Sequence, residues 1–282
     1  MAFDCFDVTI KDQIAHIVLT RPEKRNAMNA AFWDELPEIV EDIDANTKAR
    51  VIVISSTGPV FSSGIDVSMF GVNVTGSGDK NDPQYGVGFL HNVTRLQDSF
   101  SALENCRIPV LCAIQGGAYG GAVDLITACD MRFGTQDSFI TIYEINVGMT
   151  ADVGTFPRIL NLMPEGVVRE LAYTGRKMHA EECKQRGLFN EVYDDQPAMM
   201  KAVMAMAAEI AQKPPLAIYG CKRAITYGRD HSTADALDNI AIWNMSMLIP
   251  SEVMESMMAA KEKRPGKFAD LPKLKPRAKK IS

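Results

Sequence analysis

Three carboxylates stand in apolar company: Asp124 between Val123 and Leu125, Glu144 within Ile142-Tyr143-Glu144-Ile145, and Asp152 within Thr150-Ala151-Asp152-Val153-Gly154-Thr155. Carboxyl groups held away from water take up and release protons closer to neutral pH, which suits them to general acid and base work. Two glycine-bearing turns, Phe61-Ser62-Ser63-Gly64-Ile65-Asp66 and Gly116-Gly117-Ala118-Tyr119-Gly120-Gly121, each follow a β-rich run. A strand that ends in glycines at a helix start exposes backbone N–H groups, and two such turns side by side can aim two donors at one developing oxyanion. The combination points to proton transfer next to a stabilised oxyanion. Simpler roles stand beside this one. Glycine turns also serve as plain connectors, Asp124 can pair locally, Glu144 can end a strand at the surface, and Asp152 can cap a helix or close an Asx turn.

The elements that must carry these residues alternate. Ile14 to Leu19 reads as a strand, Leu36, Ile39, Val40 and Ile43 recur with helical spacing behind Asn29 as N-cap, and Val51 to Ile54 reads as a buried strand. That is a β–β–α–β opening, with Pro37 expected to delay or kink the helix. Gly71 to Gly88 reads as a long loop, rich in Gly, Asn, Asp, Ser and Pro. A second cycle follows: a helix over Arg95–Cys106, a strand over Val110–Ile114, a short helix over Ala122–Cys129 and further strand over Met131–Ile142. This alternation predicts an α/β fold with a largely parallel sheet. Beyond Pro164 the pattern is mainly helical, over Met199–Ala211, Pro215–Gly228 and Ser232–Leu248. Nine of the 16 methionines lie at or beyond Met199, so this part is expected to pack on the α/β body or on another subunit.

Other chemistries are absent. The chain has no G-x-x-x-x-G-K-[ST] and no G-x-S-x-G, and Gly86-Val87-Gly88 lacks the third glycine of a dinucleotide fingerprint. Six dispersed cysteines without a C-x-x-C suit buried reduced thiols, and with four scattered histidines no metal site is expected. The longest uncharged run, Ile108 to Val123, is 16 residues and contains Pro109 and four glycines, so no membrane insertion is expected. An acidic N-terminus without a basic n-region, and a final Lys280-Ile281-Ser282 in place of Ser-Lys-Leu, predict a cytoplasmic protein. Net charge is −5 overall, yet residues 261–282 hold nine bases and two acids, a net +7 on a body of −12. A like-charged run of this kind is expected to be a flexible, solvated tail, with help in neutralising phosphates as the alternative. It has no aromatic residue beyond Phe268, so nucleic acid is not the expected partner.

The segments Arg21-Pro22-Glu23-Lys24-Arg25-Asn26-Ala27-Met28-Asn29, Phe61 to Asp66 and Ile108 to Asp130 resemble the enoyl-CoA hydratase/isomerase (crotonase) superfamily, over about Phe6 to Met258. One branch, the Δ3,5-Δ2,4-dienoyl-CoA isomerases, is similar through Gly121-Ala122-Val123-Asp124-Leu125, Tyr143 to Gly148, Ala151 to Thr155, and Arg229 to Ser232 with Trp243 to Leu248. The resemblance implies a ClpP/crotonase-like fold of repeated ββα units, with a core over 1–195 and a helical oligomerisation part over 196–260. It implies an oxyanion hole from the Ile65 and Gly121 N–H groups and a CoA-holding surface around Arg25, Ala27, Ser63, Gly64 and Ile65. Asp152 and Glu144 would transfer protons, with Asp124 beside them. The substrate would be an acyl-CoA thioester, with no cofactor beyond the CoA it carries, and the assembly a homotrimer or homohexamer. Hydratases of the superfamily carry glutamate at the position of Asp124 and glycine at that of Asp152. A hydratase or Δ3-Δ2-enoyl-CoA isomerase is the nearest alternative activity, and a non-catalytic acyl-CoA- or RNA-binding protein the alternative of another class.

Overall fold

The β–β–α–β opening is present in the computed structural model, which describes residues 3–69 and 83–275. Strands β1 (Phe6–Lys11) and β2 (Ile14–Leu19) pair antiparallel with Lys11 opposite Ile14. The two residues between them, Asp12 and Gln13, both take positive φ, the conformation of a tight hairpin turn whose twist matches its strands. Helix α1 (Ala30–Ala45) starts where Asn29 caps it, its side chain accepting from the Phe32 N–H at 3.1 Å. Pro37 neither delays nor stops this helix. Phe32, Trp33, Leu36, Ile39, Val40 and Ile43 are all buried on its inner face, and burying side chains of this size, at about 1.5–3 kcal/mol each, outweighs the roughly 3 kcal/mol of an internal proline.

Strand β3 (Val51–Ser56) is buried along its whole length because the sheet is covered on both faces. Ile52 and Ile54 join the core that contains α1, whereas Val51 and Val53 face Met199, Val203, Ala207 and Ala211 on the other side. Helix α2 runs from Pro83 to Asn105. The reading of Gly71–Gly88 as loop is therefore corrected for 83–88, while residues 71–82 lie outside the described residues. Pro83 is well placed at a first helical position, and Gly86 and Gly88 sit where nothing lies within 4 Å of a Cβ, so they report exposure and not a break.

After α2 come β4 (Val110–Ile114), β5 (Gly117–Tyr119), α3 (Gly121–Thr127), β6 (Met131–Thr135) and β7 (Phe139–Thr141). The strand expected over 131–142 is thus two strands, and they belong to different sheets. A 3-10 turn over Tyr143–Val147 leads to α4 (Thr155–Ile159), α5 (Glu165–Thr174), β8 (Met178–His179), α6 (Ala180–Gln185) and β9 (Glu191–Tyr193). Then follow α7 (Gln196–Ala211), α8 (Pro215–Asp230), α9 (Thr233–Met247) and α10 (Pro250–Glu262). The larger sheet has the order β1-β2-β3-β4-β6-β9, parallel from β2 onward, and the smaller is β5-β7-β8. Helix α7 supplies the lid on the far face of the larger sheet, with Met199 buried and Met200, Met204 and Met206 packed beside it.

The basic tail is not a loose end as far as Lys275. Arg50 donates to Asp270 at 2.8 Å and to the Phe268 carbonyl at 3.0 Å, Arg107 donates to the Pro272 carbonyl at 2.8 Å, and the Leu274 N–H bonds the Ala45 carbonyl at 2.8 Å. Leu271 is buried. The expectation of a flexible tail followed the sign of its side chains, but the segment is held mainly through its carbonyls by two arginines of the body. No helix among the described residues is long and apolar enough to cross a membrane.

Candidate active site

The turn after β3 is stitched by main-chain bonds to strand β5, which runs straight into the glycines that open α3. Ser62 N–H bonds the Gly117 carbonyl at 3.3 Å and Tyr119 N–H bonds the Ser62 carbonyl at 3.1 Å, a parallel bridge between Ser62 and Ala118. A second bridge joins Met28 to Ile65, with Met28 N–H on the Gly64 carbonyl at 2.9 Å and Asp66 N–H on the Met28 carbonyl at 3.0 Å. This pattern uses the Gly64 carbonyl and the Asp66 N–H and passes over the Ile65 N–H between them. Neither the Ile65 nor the Gly121 N–H has an acceptor among the described residues, and Gly121 opens α3, where the first amides have no partner within the helix. The two donors are neighbours: a Cβ on Gly121 would lie 3.4 Å from the Ile65 nitrogen. Gly64, at φ +79°, has no room for a side chain, since a Cβ would come 2.4 Å from the Tyr119 carbonyl and 3.1 Å from the Gly121 nitrogen.

The carboxylates gather beside these amides. Asp124 lies one turn into α3 and is 1% exposed, and its Oδ1 accepts from the Thr155 N–H at 2.6 Å. The Glu144 carboxyl covers Gly120, whose Cβ would sit 3.0 Å from Oε1. Its Oε2 is buried with no hydrogen-bond partner among the described residues. Asp152 is half-buried in the loop before α4. Burial pushes the Asp124 carboxyl up to about 7, with the Glu144 charge adding to it and Asp152 contributing less. Glu144 is raised by burial and then by Asp152, and Asp152 is raised by burial. Three acids within electrostatic reach cannot all ionise easily, so each one's charge disfavours ionisation of the others. Asp152 is not the N-cap of α4, a position held by Gly154.

The residues expected to hold CoA line the same seam. Arg25 is exposed at φ +52°, its carbonyl accepting from Ser63 N–H at 2.9 Å, and the Ala27 carbonyl accepts from Arg21 at 2.7 Å. Sequence reasoning did not assign Asn26, which is 2% exposed and fixes this turn. Its amide nitrogen reaches the carbonyls of Thr57, Val60 and Phe61 at 2.8, 3.3 and 3.1 Å, while its oxygen accepts from Arg21 N–H at 2.9 Å. An asparagine in a turn-rich stretch was the available signal, because Asn tolerates the left-handed φ of +52° found here. Thr155 gave no signal of its own. Five cysteines are buried free thiols, whereas Cys221 is exposed, against the expectation for all six. Among the described residues no group of three or more His, Cys, Asp or Glu could hold a metal ion.

The enoyl-CoA hydratase/isomerase family profile matches residues 9–271. The chain is 42% identical over 264 residues to the mitochondrial Δ(3,5)-Δ(2,4)-dienoyl-CoA isomerase of Mus musculus, covering 93% of this chain and 80% of that protein. It is 35% identical over 259 residues to the peroxisomal enzyme of the same description from Arabidopsis thaliana, covering 92% and 93%. An enoyl-CoA hydratase structure from Bacillus anthracis, 24% identical, shares the fold with a TM-score of 0.84, covering 94% of this chain and 99% of that one. The fold is the crotonase α/β fold with a helical C-terminal part. The cytoplasmic expectation is overturned by the mitochondrial and peroxisomal descriptions of these relatives. A basic amphipathic transit peptide and a short receptor-read tripeptide are both separate from the fold, so the folded body carries no record of the compartment. The paired amides, the acids beside them and a match over nearly the whole length agree: the chain belongs to the enoyl-CoA hydratase/isomerase family.

Proposed function

We propose that this protein is a Δ3,5-Δ2,4-dienoyl-CoA isomerase of fatty-acid oxidation and that Asp152, Glu144 and Asp124 are its proton-transfer groups. The observation that carries the reading is the gathering of three raised-pKa carboxyls beside two unengaged amides, joined to the 42% identity with an enzyme of that description. The thioester oxygen sits on the Ile65 and Gly121 N–H groups. Ionised Asp152 takes a proton from C2, the resulting dienolate spreads its charge onto that oxygen, and protonated Glu144 gives a proton to C6. The double bonds at C3 and C5 become double bonds at C2 and C4. Two acids suit this chemistry because the two carbons lie at opposite ends of the diene. Each amide contributes through the charge that develops on oxygen, and loss of one such donor typically costs about 3–4 kcal/mol of barrier. After turnover the proton has moved from Glu144 to Asp152, and Asp124, near half protonation at about pH 7, assists the return.

The turn around Arg25, Ala27, Ser63 and Gly64 holds the CoA moiety of the substrate, and the reaction uses no separate cofactor. The assembly is a homotrimer or homohexamer, a reading supported by the exposed apolar side chains of α9 and α10, among them Leu237, Met245, Met247, Met254 and Met257. The test is incubation with a 3,5-dienoyl-CoA while following absorbance of the conjugated 2,4-dienoyl product, with a 2-enoyl-CoA as the hydratase comparison. Asp152→Asn is expected to lower kcat by about 10²–10⁴ with CoA-ester binding unchanged. A fully active Asp152→Asn enzyme, or hydration of the 2-enoyl-CoA in place of isomerisation, would sink the assignment.

A further inference from the structure

Asp152 lies in a stretch, 149–154, that has no helix or strand of its own, so something outside it must fix where the carboxyl points. Helix α2 presents Gln97, Ser101 and Glu104 at i, i+4 and i+7, one stripe of a 3.6-residue helix. All three bind the Asp152 segment and the helix that follows it. Gln97 Nε2 donates to the Asp152 main-chain carbonyl at 2.6 Å. Ser101 Oγ accepts from Arg158 at 3.0 Å, and Glu104 accepts from Arg158 Nε at 3.3 Å. Arg158 is buried, and its guanidinium occupies the space a side chain at position 154 would need: a Cβ on Gly154 would lie 1.8 Å from the Arg158 terminal nitrogen. Gly154 runs at φ +132°, a conformation L side chains rarely adopt, so backbone and arginine fit only as a pair. Glu104 is also bonded by Arg229 from α8, which fixes the anchor from a third element.

We propose that Gln97 and Arg158 are positioning residues for proton transfer: the polar stripe of α2 sets the place of Asp152 relative to Glu144 and Asp124. The proposal rests on the reading of Asp152 as the base at C2. Gln97 bonds the segment at Asp152 itself, and the Arg158 guanidinium, tied to Ser101 and Glu104 of α2, packs against it two residues on at Gly154, so the carboxyl lies between a bonded point and a packed one. A displacement of about 1 Å at a reacting group can cost a hundredfold in rate, while the amides and the CoA-holding turn, built on other elements, are untouched.

The decisive variant is Gln97→Met, which keeps the length of the side chain and removes the donor. On a 3,5-dienoyl-CoA it is expected to lower kcat by about ten- to a hundredfold with KM within about twofold of wild type. Hydrogen exchange read by mass spectrometry is expected to quicken about fivefold or more in peptides spanning 149–156, with β4 unchanged. Arg158→Met should act in the same direction, Glu104 remaining neutralised by Arg229. Unaltered exchange in 149–156 overturns the proposal, as does faster exchange with an unaltered kcat, or a rise in KM that accounts for the whole loss. A wild-type enzyme that fails to isomerise the dienoyl-CoA refutes the proposed activity instead, and the exchange measurement then decides whether Gln97 fixes this segment.

Discussion

Asp124 is a carboxyl whose protonation is set by where it is buried, and this has a consequence for stability that can be signed. Its folded pKa of about 7 stands above the ordinary value of 3.8, so between those values the native state binds more protons than the unfolded one. Stability from this group is complete below about pH 4 and is lost as pH rises to about 7. Asp124→Asn should therefore be more stable than wild type at pH 8, by about 2–4 kcal/mol, with the difference vanishing near pH 4. Thermal melts of the two proteins across that range check this. Asn26 makes the opposite case, a neutral side chain that the turn requires as a donor. Asn26→Asp keeps size and turn tolerance but sets an acceptor against the three carbonyls it now serves. A loss of about 3 kcal/mol or more in urea unfolding is expected, and unchanged stability would remove Asn26 from this role. The sequence singled out Asp124, Glu144 and Asp152 by their apolar neighbours. It did not mark Asn26, because a side chain that bonds main-chain carbonyls more than 30 residues away leaves no local pattern.

At the scale of elements, the two glycine turns are legible because their amino-acid types answer local needs. Gly64 must pass the Tyr119 carbonyl and adopt φ +79°. Gly64→Ala is expected to push the two turns apart and cost about 10²–10³ in kcat, comparable to removal of one oxyanion donor, measured on the same dienoyl substrate. The strand and helix periodicities over Ile14–Leu19, Ala30–Ala45 and Val110–Ile114 were equally readable, since each element buries a continuous stripe or face. The start of α2 was not. Pro83, Gly86 and Gly88 look like loop residues, and the periodic apolar contacts that mark a helix begin only at Val93, Leu96 and Phe100. Nor was the stripe of Gln97, Ser101 and Glu104 legible, because polar residues at helical spacing read equally well as a solvated face.

At the scale of the whole molecule, the tail is bound by charge the sequence placed elsewhere. Arg50 and Arg107 take its carbonyls while Leu271 is buried, so ending the chain at Lys267 should cost roughly 3 kcal/mol or more. For a protein of this length that is a fall in Tm of about 6–12 °C. KM for the acyl-CoA should not change, since these bonds involve no residue of the site. Light scattering of the intact protein checks the assembly proposed on α9 and α10. In the proposed reaction the donors to the thioester oxygen are main-chain atoms, fixed by the bridges between Ser62 and Ala118 and between Met28 and Ile65. No single codon change deletes a peptide N–H short of introducing proline, whereas each acid is one side chain that a point mutation replaces. Descendants of such a gene inherit the grip on the thioester with the fold and can explore new reactions by altering a few carboxylates. A hydratase structure 24% identical shares this architecture, and a fold shared by proteins of different description leaves the reaction to the site it carries.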